Sequence, residues 1–172
     1  DITLKDLTGK TIAIDTYNIL YQFLASIRGP DGTPLTDSHG NVTSHLQGLF
    51  SRTAHLMQYN IKLIFVFDGK PPELKTIERA RRRKLKEEAQ VQYVIAKERE
   101  DIAAMKKYAA QTTRLTAEMV VEAKELVTAL GCAVVDGASE GEAQVAYIVQ
   151  QGDAEYGSSQ DYDTLLYGIP RL

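Results

Sequence analysis

The chain alternates between short apolar runs, which have the length of strands, and longer stretches with apolar residues at helical spacing. Residues 11–15 and 63–68 are short apolar runs, and each of them ends in an aspartate. Runs that are apolar on both faces and separated by helix-length stretches are typical of central strands in a parallel sheet. Residues 133–135 form a third candidate strand. A fourth, near residues 154–159, is weaker because a glutamate, a glycine and two serines interrupt it.

The stretches between these strands carry helical patterns. Residues 17–27 form the first predicted helix, which a Gly-Pro-Asp-Gly loop at residues 29–32 ends. Residues 43–57 place leucines and a phenylalanine at helical spacing, and residues 115–130 form an amphipathic helix that Gly131 ends. Strands that alternate with helices predict the α/β class, with a mostly parallel central sheet flanked by helices.

Residues 73 to about 110 differ from the rest of the chain because they are highly charged and poor in large apolar groups. We predict a solvated helix or helix pair that stands off the core. Between Lys70 and Lys86 there are eight cations and two anions, a local net charge of +6, whereas the whole chain has a net charge of −3. Such segregation predicts an electropositive surface beside an electronegative site.

The composition narrows the class of protein. Hydrophobic residues make up 44% and charged residues 25% of the 172 residues, which is typical of one globular domain over residues 1–172. The longest apolar runs have about half a dozen residues, whereas a membrane-spanning helix needs about 20. No charged-then-apolar leader begins the chain, so we expect no secretion. One cysteine and three scattered histidines favour neither a disulfide nor a structural zinc site.

Six carboxylates follow the four predicted strands: Asp15, Asp68, Glu140, Glu142, Asp161 and Asp163. Because ligand sites of open parallel sheets form beyond the carboxyl ends of the strands, we expect these acids to meet at one edge. Clustered carboxylates repel one another unless cations lie between them. Hard oxygen ligands favour Mg²⁺ where phosphate is the substrate, and two ions about 4 Å apart promote hydrolysis of a phosphodiester. The pattern therefore predicts a phosphodiesterase centre.

Each acidic group also has a purely structural interpretation. An aspartate after a strand is a common turn or helix-cap residue, and the pair at positions 161 and 163 fits a solvated turn. Ser139 and Glu142 match a capping box with Ser139 as the N-cap, although Gly141 is a poor residue for a first helical turn. These structural roles do not predict that all four groups fall at the same end of the sheet, and this coincidence favours the metal site.

Five short motifs spread over nearly the whole chain. They are Ile14-Asp15-Thr16-Tyr17-Asn18 with Tyr21-Gln22-Phe23-Leu24, Thr43-Ser44-His45-Leu46, Val66-Phe67-Asp68-Gly69-Lys70-Pro71-Pro72, Ser139-Glu140-Gly141-Glu142-Ala143, and Ser159-Gln160-Asp161-Tyr162-Asp163. In this order they resemble the flap endonuclease family of structure-specific 5′ nucleases, and its archaeal members most closely. The resemblance implies the N-terminal portion of such an enzyme, with a PIN-like 5′ nuclease core and a protruding basic helical arch over residues 73 to about 110.

The resemblance also implies roles for single residues. The six acids would be metal ligands, some direct and some through water. Lys75 and Arg82 would be catalytic residues that reach the scissile phosphate from the arch, where an arginine fork neutralises developing charge. Tyr21 would stack on a nucleotide next to that phosphate. The remaining DNA contacts, around the junction, would come from Arg28, Thr43 and Arg52. Without the resemblance, Lys75 and Arg82 would be interpreted as residues of a solvated helix face, and Tyr21 as a half-buried aromatic residue of the core.

The implied function is cleavage of 5′ flaps, as an endonuclease and a 5′-3′ exonuclease, in DNA replication and repair. The cofactor would be Mg²⁺, two ions per active site, with Mn²⁺ as a substitute. The partners would be flap or junction DNA and a sliding clamp, bound through a C-terminal motif that this chain lacks. Family members continue with a seventh aspartate and a duplex-binding element, so we expect the chain alone to be weakly active or inactive. The implied location is the cytoplasm of an archaeal cell, or the nucleus of a eukaryotic one, with no membrane contact.

Other functions fit parts of the pattern. A PIN-type ribonuclease or a purely exonucleolytic 5′ nuclease would share the core, but PIN domains are usually smaller and lack a long basic arch. A non-catalytic module that binds DNA junctions would keep the fold, but intact acids in all four groups disfavour it. A nucleotide-binding enzyme is disfavoured because neither Gly-x-Gly-x-x-Gly nor Gly-x-x-x-x-Gly-Lys-Ser/Thr occurs in the sequence.

Overall fold

The computed structural model describes residues 2–30, 32–70, 76–112 and 114–172, and within them it contains one four-stranded sheet. The strands are β1 Thr11–Asp15, β2 Lys62–Phe67, β3 Ala133–Asp136 and β4 Tyr156–Ser158. They lie in the order β3-β2-β1-β4, and every pairing is parallel. The predicted fold class is confirmed, with the two apolar runs that end in aspartate as the central strands.

Seven helices lie within the described ranges: α1 Thr16–Ser26, α2 Ser44–Gln58, α3 Thr76–Glu98, α4 Ile102–Gln111, α5 Ala117–Ala129, α6 Gly141–Gln151 and α7 Asp163–Leu166. The helices α1, α2 and α5 lie within a few residues of their predicted positions. The four-residue helix α7 is not predicted by the pattern, because it is too short to show a helical period. Among the described residues, none of the helices combines the length and the apolar composition that crossing a bilayer requires.

The two faces of the sheet are covered by separate apolar clusters. On one face Ile12, Ile14 and Phe65 belong to a cluster with residues of α1, α2 and α5. On the other face Ala13 and Val66 pack with α6. Successive side chains of a strand point to opposite faces of the sheet. Both faces are apolar because helices cover both of them. The core therefore explains why the central strands are continuous apolar runs.

The charged segment forms a helix pair, α3 and α4, which we call the basic helix pair. The two helices contact each other, and the chain reverses between them through Glu100, whose φ is 55°, and Asp101, which caps α4. The expectation that the whole segment stands off the core is wrong for α4, which contacts α1. Met105 and Ala109 are only 8% and 5% exposed, because the small side chains of α4 allow a close approach to its neighbours.

Candidate metal centre

Parallel pairing brings the ends of the strands to one edge of the sheet, which we call the acidic edge. Asp15 is the last residue of β1 and also the N-cap of α1, where its Oδ1 accepts a hydrogen bond from the Asn18 N–H at 3.3 Å. In the register of the sheet, Asp15 lies opposite Val66, two residues before Asp68. Asp15 therefore ends β1 and Asp68 directly follows the neighbouring strand β2, so the first two predicted acids lie at the same edge of the sheet.

The start of α6 is placed against these two aspartates. The Gly141 N–H donates to Asp68 Oδ1 at 2.8 Å. A Cβ added to Gly141 would lie 2.7 Å from Asp68 Oδ1 and 3.4 Å from Asp15 Oδ1, so only glycine leaves room for both carboxylates. The N-cap of α6 is Glu140, without a side-chain capping bond. The capping-box interpretation with Ser139 as N-cap is therefore wrong, and the glycine is explained by its contact with the acids.

Ser159 joins the end of β4 to the same edge. Its Oγ donates to Asp15 Oδ2 at 3.1 Å and accepts a hydrogen bond from the Asp161 N–H, also at 3.1 Å. Asp161 Oδ1 in turn accepts from the Asp163 N–H at 3.1 Å. A chain of short polar contacts thus runs from β1 to the loop after β4, and it orients the second pair of aspartates toward the first.

Three of the six predicted acids form a compact group. Ligand oxygens of Glu142, Asp161 and Asp163 all lie within 4.8 Å of one another. Glu142 is half-buried, whereas the two aspartates are exposed to solvent. Hard oxygen donors at this spacing suit Mg²⁺, Mn²⁺ or Ca²⁺. The geometry of these three acids therefore fits a divalent cation on chemical grounds. Asp15, Asp68 and Glu140 lie outside this group of three, but Ser159 links Asp15 to Asp161, and Gly141, next to Glu142, donates to Asp68.

The sixth acid, Glu140, lies beside the group with its own partner. Its Oε2 accepts a hydrogen bond from the Tyr167 hydroxyl at 2.5 Å. This bond, together with burial and the charges of Glu140, Glu142 and Asp163, raises the pKa of Tyr167 to about 12. The tyrosine therefore remains a hydrogen-bond donor over the whole neutral range.

The surroundings of Asp15 raise the pKa of its carboxyl group. Burial is the largest cause that raises the pKa of Asp15, and the negative charges of Asp68 and Asp161 add to it. The hydrogen bonds from Asn18 and Ser159 oppose the shift. A divalent cation relieves such repulsion, because it places positive charge between the carboxylates.

Another acid at the acidic edge, Asp136, forms an ion pair with a lysine. It ends β3, and its Oδ1 lies 2.6 Å from Lys124 Nζ. Lys124 also lies over the ring of Phe67, 5.1 Å from the centroid. A carboxylate whose charge is balanced by an ammonium group has less need of a metal ion, so Asp136 serves as an internal comparison for the predicted ligands.

A cavity of about 950 Å³, which we call the Tyr21 cavity, lies between α1 and the basic helix pair. Tyr21, Arg82, Lys86 and Tyr108 are among its lining residues. Tyr21 is 41% exposed, and Lys86 Nζ lies 5.2 Å from the centre of its ring. Burial, followed by the charges of Arg114 and Arg82, lowers the pKa of Lys86. Tyr21 follows Asp15 by six residues on α1, which corresponds to about 9 Å along the helix axis.

Arg28, Thr43 and Arg52 have local contacts in the structure, none of them with the six acids in the hydrogen bonds and ring contacts described here. Lys75 is outside the described residues. Arg28 donates from Nε to the Ala25 carbonyl at 3.1 Å and from Nη1 to the Gly32 carbonyl at 2.8 Å. Thr43 is the N-cap of α2, and the exposed Arg52 guanidinium lies 5.5 Å from the Phe23 ring centre. Their contacts with DNA stay predictions.

Two contributors to the site, Ser159 and Tyr167, were given no role by the sequence. Ser159 belongs to one of the five motifs, so its place in that motif was a signal that could have been used. Tyr167 lies outside every motif, and its contact with Glu140 spans 27 positions of the chain. Only the path of α7 beside α6 brings this hydroxyl to the acids.

Replacing Gly141 by alanine tests the fit at the start of α6. The added Cβ would force the Asp68 carboxylate to move. The clash is with the end of one side chain, which can rotate, so we expect the fold to be retained while Mn²⁺ affinity falls about tenfold. Isothermal titration calorimetry and thermal unfolding in EDTA measure the two quantities. An unchanged Mn²⁺ affinity in a normally folded variant would contradict this role for Gly141.

Comparisons with known proteins agree with this geometry. The XPG N-terminal domain family matches residues 1–89, and the XPG I-region family matches residues 131–172. The chain is 54% identical over 99% of its length to flap endonuclease 1 of Ignicoccus hospitalis and covers 49% of that protein. It is 53% identical over 100% of its length to flap endonuclease 1 of Hyperthermus butylicus and again covers 49% of it.

Solved structures of related nucleases also superpose on this chain. Flap endonuclease-1 from Methanococcus jannaschii superposes with a TM-score of 0.72 at 46% identity, over 98% of this chain and 54% of that one. The catalytic core of Rad2 in complex with a DNA substrate superposes with a TM-score of 0.63 at 26% identity, over 97% of this chain and 43% of that one. The chain spans about half the length of these relatives. The matches to both XPG domain families show that the chain belongs to the XPG family, and over nearly its whole length it is similar to about half of each of these flap endonucleases.

Proposed function

We propose that the chain provides the catalytic core of a flap endonuclease, which hydrolyses a DNA phosphodiester at a 5′ flap junction and leaves a 5′-phosphate and a 3′-hydroxyl. The observation that carries the proposal is the group formed by Glu142, Asp161 and Asp163, with Asp15 and Asp68 beside it. No hydrolysis of a stable phosphodiester proceeds at a useful rate without charge stabilisation. A carboxylate cluster of this kind is suited to supply it through bound cations.

The family membership and the acidic group support a metal-dependent enzyme, and we propose Mg²⁺ as the metal, with two ions per active site. The donor set consists of carboxylate oxygens, which Mg²⁺ and Mn²⁺ prefer over nitrogen or sulfur. When bound, the ions would activate a water molecule, orient the phosphate and stabilise the leaving oxygen. The six acids are the proposed ligands, and Ser159 and Gly141 would hold Asp15 and Asp68 in place for them.

The residues of the Tyr21 cavity would position the DNA strand. Arg82 belongs to a run of four cations on α3, from Arg81 to Lys84, which would attract the phosphate backbone of a single-stranded flap without reading its sequence. Tyr21 offers an exposed aromatic face on which a base can stack. Arg82, with Lys75, would neutralise charge that develops on the scissile phosphate. Arg28, Thr43 and Arg52 would contact the DNA farther from the reaction.

The proposed partners are flap and junction DNA. The Rad2 core was solved with a DNA substrate, which supports DNA as the ligand of the related acidic edge here. A sliding clamp would bind through a segment outside this chain, and the proposed setting is DNA replication and repair in the cytoplasm of an archaeal cell. These proposals concern the protein of full family length.

Cleavage of three matched substrates tests the proposed function. The substrates are a 5′-flap duplex, a nicked duplex and a single-stranded RNA, each labelled at the 5′ end. For a protein of full family length that contains this chain, we expect rapid cleavage of the flap in Mg²⁺, none in EDTA, and recovery when Mg²⁺ is added in excess. Preferred cleavage of the RNA would indicate a PIN-type ribonuclease. Tight flap binding without cleavage in any divalent metal would indicate a non-catalytic junction module.

A further inference from the structure

Tyr167 lies outside the five motifs but contacts the metal centre directly. It is the C-cap residue of α7, and its hydroxyl donates to Glu140 Oε2 at 2.5 Å. That distance is in the range of a strong hydrogen bond from a hydroxyl to a charged carboxylate. The hydroxyl also lies close enough to Glu142 and Asp163 to interact with their charges. One tyrosine thus contacts one of the six proposed ligands and lies near the charges of two others.

The position of Tyr167 is fixed by the same helix that carries the acids. Gln150, near the end of α6, donates from Nε2 to the Tyr167 carbonyl at 2.8 Å and to the Gly168 carbonyl at 3.0 Å. Gly168 has a φ of +72°, which allows the chain to turn away directly after the tyrosine. Tyr167 is therefore bound to both ends of α6. Its backbone carbonyl accepts from Gln150 near the C-terminal end, and its hydroxyl donates to Glu140 at the N-terminal end.

We propose that Tyr167 is a positioning residue of the metal centre, whose hydroxyl fixes the Glu140 carboxylate relative to Glu142 and Asp163 before a cation binds. The inference rests on the proposed function, because it requires these acids to bind metal. A carboxylate on a half-exposed glutamate otherwise samples several rotamers, and ordering it costs free energy at the moment of binding. Hydrogen bonds that orient metal ligands in this way are worth about 10- to 100-fold in metal affinity.

Tyr167→Phe tests the proposal, because it removes one oxygen and keeps the ring. Tyr147→Phe is the matched control, since Tyr147 lies on α6 and is 55% exposed. Isothermal titration calorimetry with Mn²⁺ on the chain measures metal affinity, and circular dichroism in EDTA measures thermal unfolding. We expect Tyr167→Phe to bind Mn²⁺ about tenfold more weakly than the parent, and Tyr147→Phe to bind as the parent does. In EDTA, Tyr167→Phe should stay folded with only a small fall in unfolding temperature, because the lost hydrogen bond is exposed to solvent, and Tyr147→Phe should unfold as the parent does.

A double-mutant cycle separates positioning from a general structural effect. If the hydroxyl acts through Glu140, Tyr167→Phe should have little further effect on Mn²⁺ affinity in a Glu140→Gln background. An equal loss of affinity in both backgrounds would overturn the proposal. The same comparison extends to the backbone contact, where Gln150→Ala should weaken Mn²⁺ binding and the exposed neighbour Gln151→Ala should not.

The outcomes distinguish this inference from the proposed function. If the parent chain binds Mn²⁺ and Tyr167→Phe binds it equally well, the positioning role is refuted and the metal centre stands. If the parent chain binds no Mn²⁺, the metal centre itself is refuted, and the positioning role falls with it.

Discussion

In a protein of full family length that contains this chain, replacing Asp68 or Asp161 by alanine is expected to abolish cleavage of a 5′ flap while leaving the DNA bound. Asp68 faces the start of α6, and Asp161 is one of the three acids within 4.8 Å of one another. Charge stabilisation by a bound metal contributes several kcal/mol to phosphoryl chemistry, and about 4 kcal/mol corresponds to a rate change of about a thousandfold. We therefore expect the single-turnover rate in Mg²⁺ to fall by at least that factor, and flap binding in Ca²⁺ to change by less than about threefold, because the basic residues supply most of the affinity.

Asp136→Ala is the matched control for these two variants. Asp136 ends a strand at the same acidic edge, but its charge is balanced by Lys124 at 2.6 Å. We expect this variant to cleave at a rate near that of the parent. Cleavage retained in Asp68→Ala and Asp161→Ala would overturn the ligand assignment. A loss of the same size in Asp136→Ala would show that any change at the acidic edge disturbs the fold there.

Much of the acidic edge could be predicted because it depends on local pattern and on one rule of topology. Asp15 and Asp68 end apolar runs, and parallel pairing brings such ends together whatever the intervening sequence. Glu142 and Asp161 follow the other two strands in the same way. To predict that these acids meet at one edge of the sheet, only the positions of the strands had to be known. The strands are the strongest features of the hydrophobic pattern.

The remaining parts of the site depend on distances between segments that are remote in sequence. Gly157 in β4 is an example. A Cβ at this position would lie 2.3 Å from Ile169 Cδ1 and 2.8 Å from Val145 Cγ1. Only glycine therefore fits at this position, beneath α6 and the segment after α7. Because glycine has no apolar side chain, it interrupts the hydrophobic pattern from which a strand is predicted. The hydrogen bonds of Ser159 and Tyr167 likewise depend on where the chain returns, and no periodicity reveals that.

Motif matching also does not separate structural residues from functional ones. In the Thr43-Ser44-His45-Leu46 motif, His45 is fully buried and its Nε2 lies 3.1 Å from Glu122 Oε2 on α5. Ser44 Oγ donates to the Ile27 carbonyl at 2.7 Å and accepts from the Leu35 N–H at 2.8 Å. These contacts join α2 to its surroundings, so two members of this motif have structural partners. Only Thr43 was proposed to contact DNA.

In the same protein of full family length, Arg82→Ala is expected to slow the chemical step far more than it weakens DNA binding. Arg82 lines the Tyr21 cavity, on the side of the basic helix pair, whereas Tyr21 belongs to the helix that Asp15 caps. An arginine that stabilises charge only in the transition state changes the rate without an equal change in affinity. We expect the single-turnover rate of flap cleavage to fall at least about a hundredfold. Flap affinity in Ca²⁺ should fall less than about fivefold, as for the loss of one phosphate contact among many.

Arg83→Ala is the control because it removes the same charge from the next position of α3. Arg83 is 74% exposed at its side chain and lies 4.0 Å from Glu87, four residues along the helix, a pair that contributes little to stability. We expect this variant to keep the parent rate with a slightly lower affinity. Equal single-turnover rates for Arg82→Ala and the parent would remove Arg82 from the catalytic step. Equal losses in the two arginine variants would mean that the basic helix pair attracts the flap by its summed charge, and that the catalytic group on this face is some other residue.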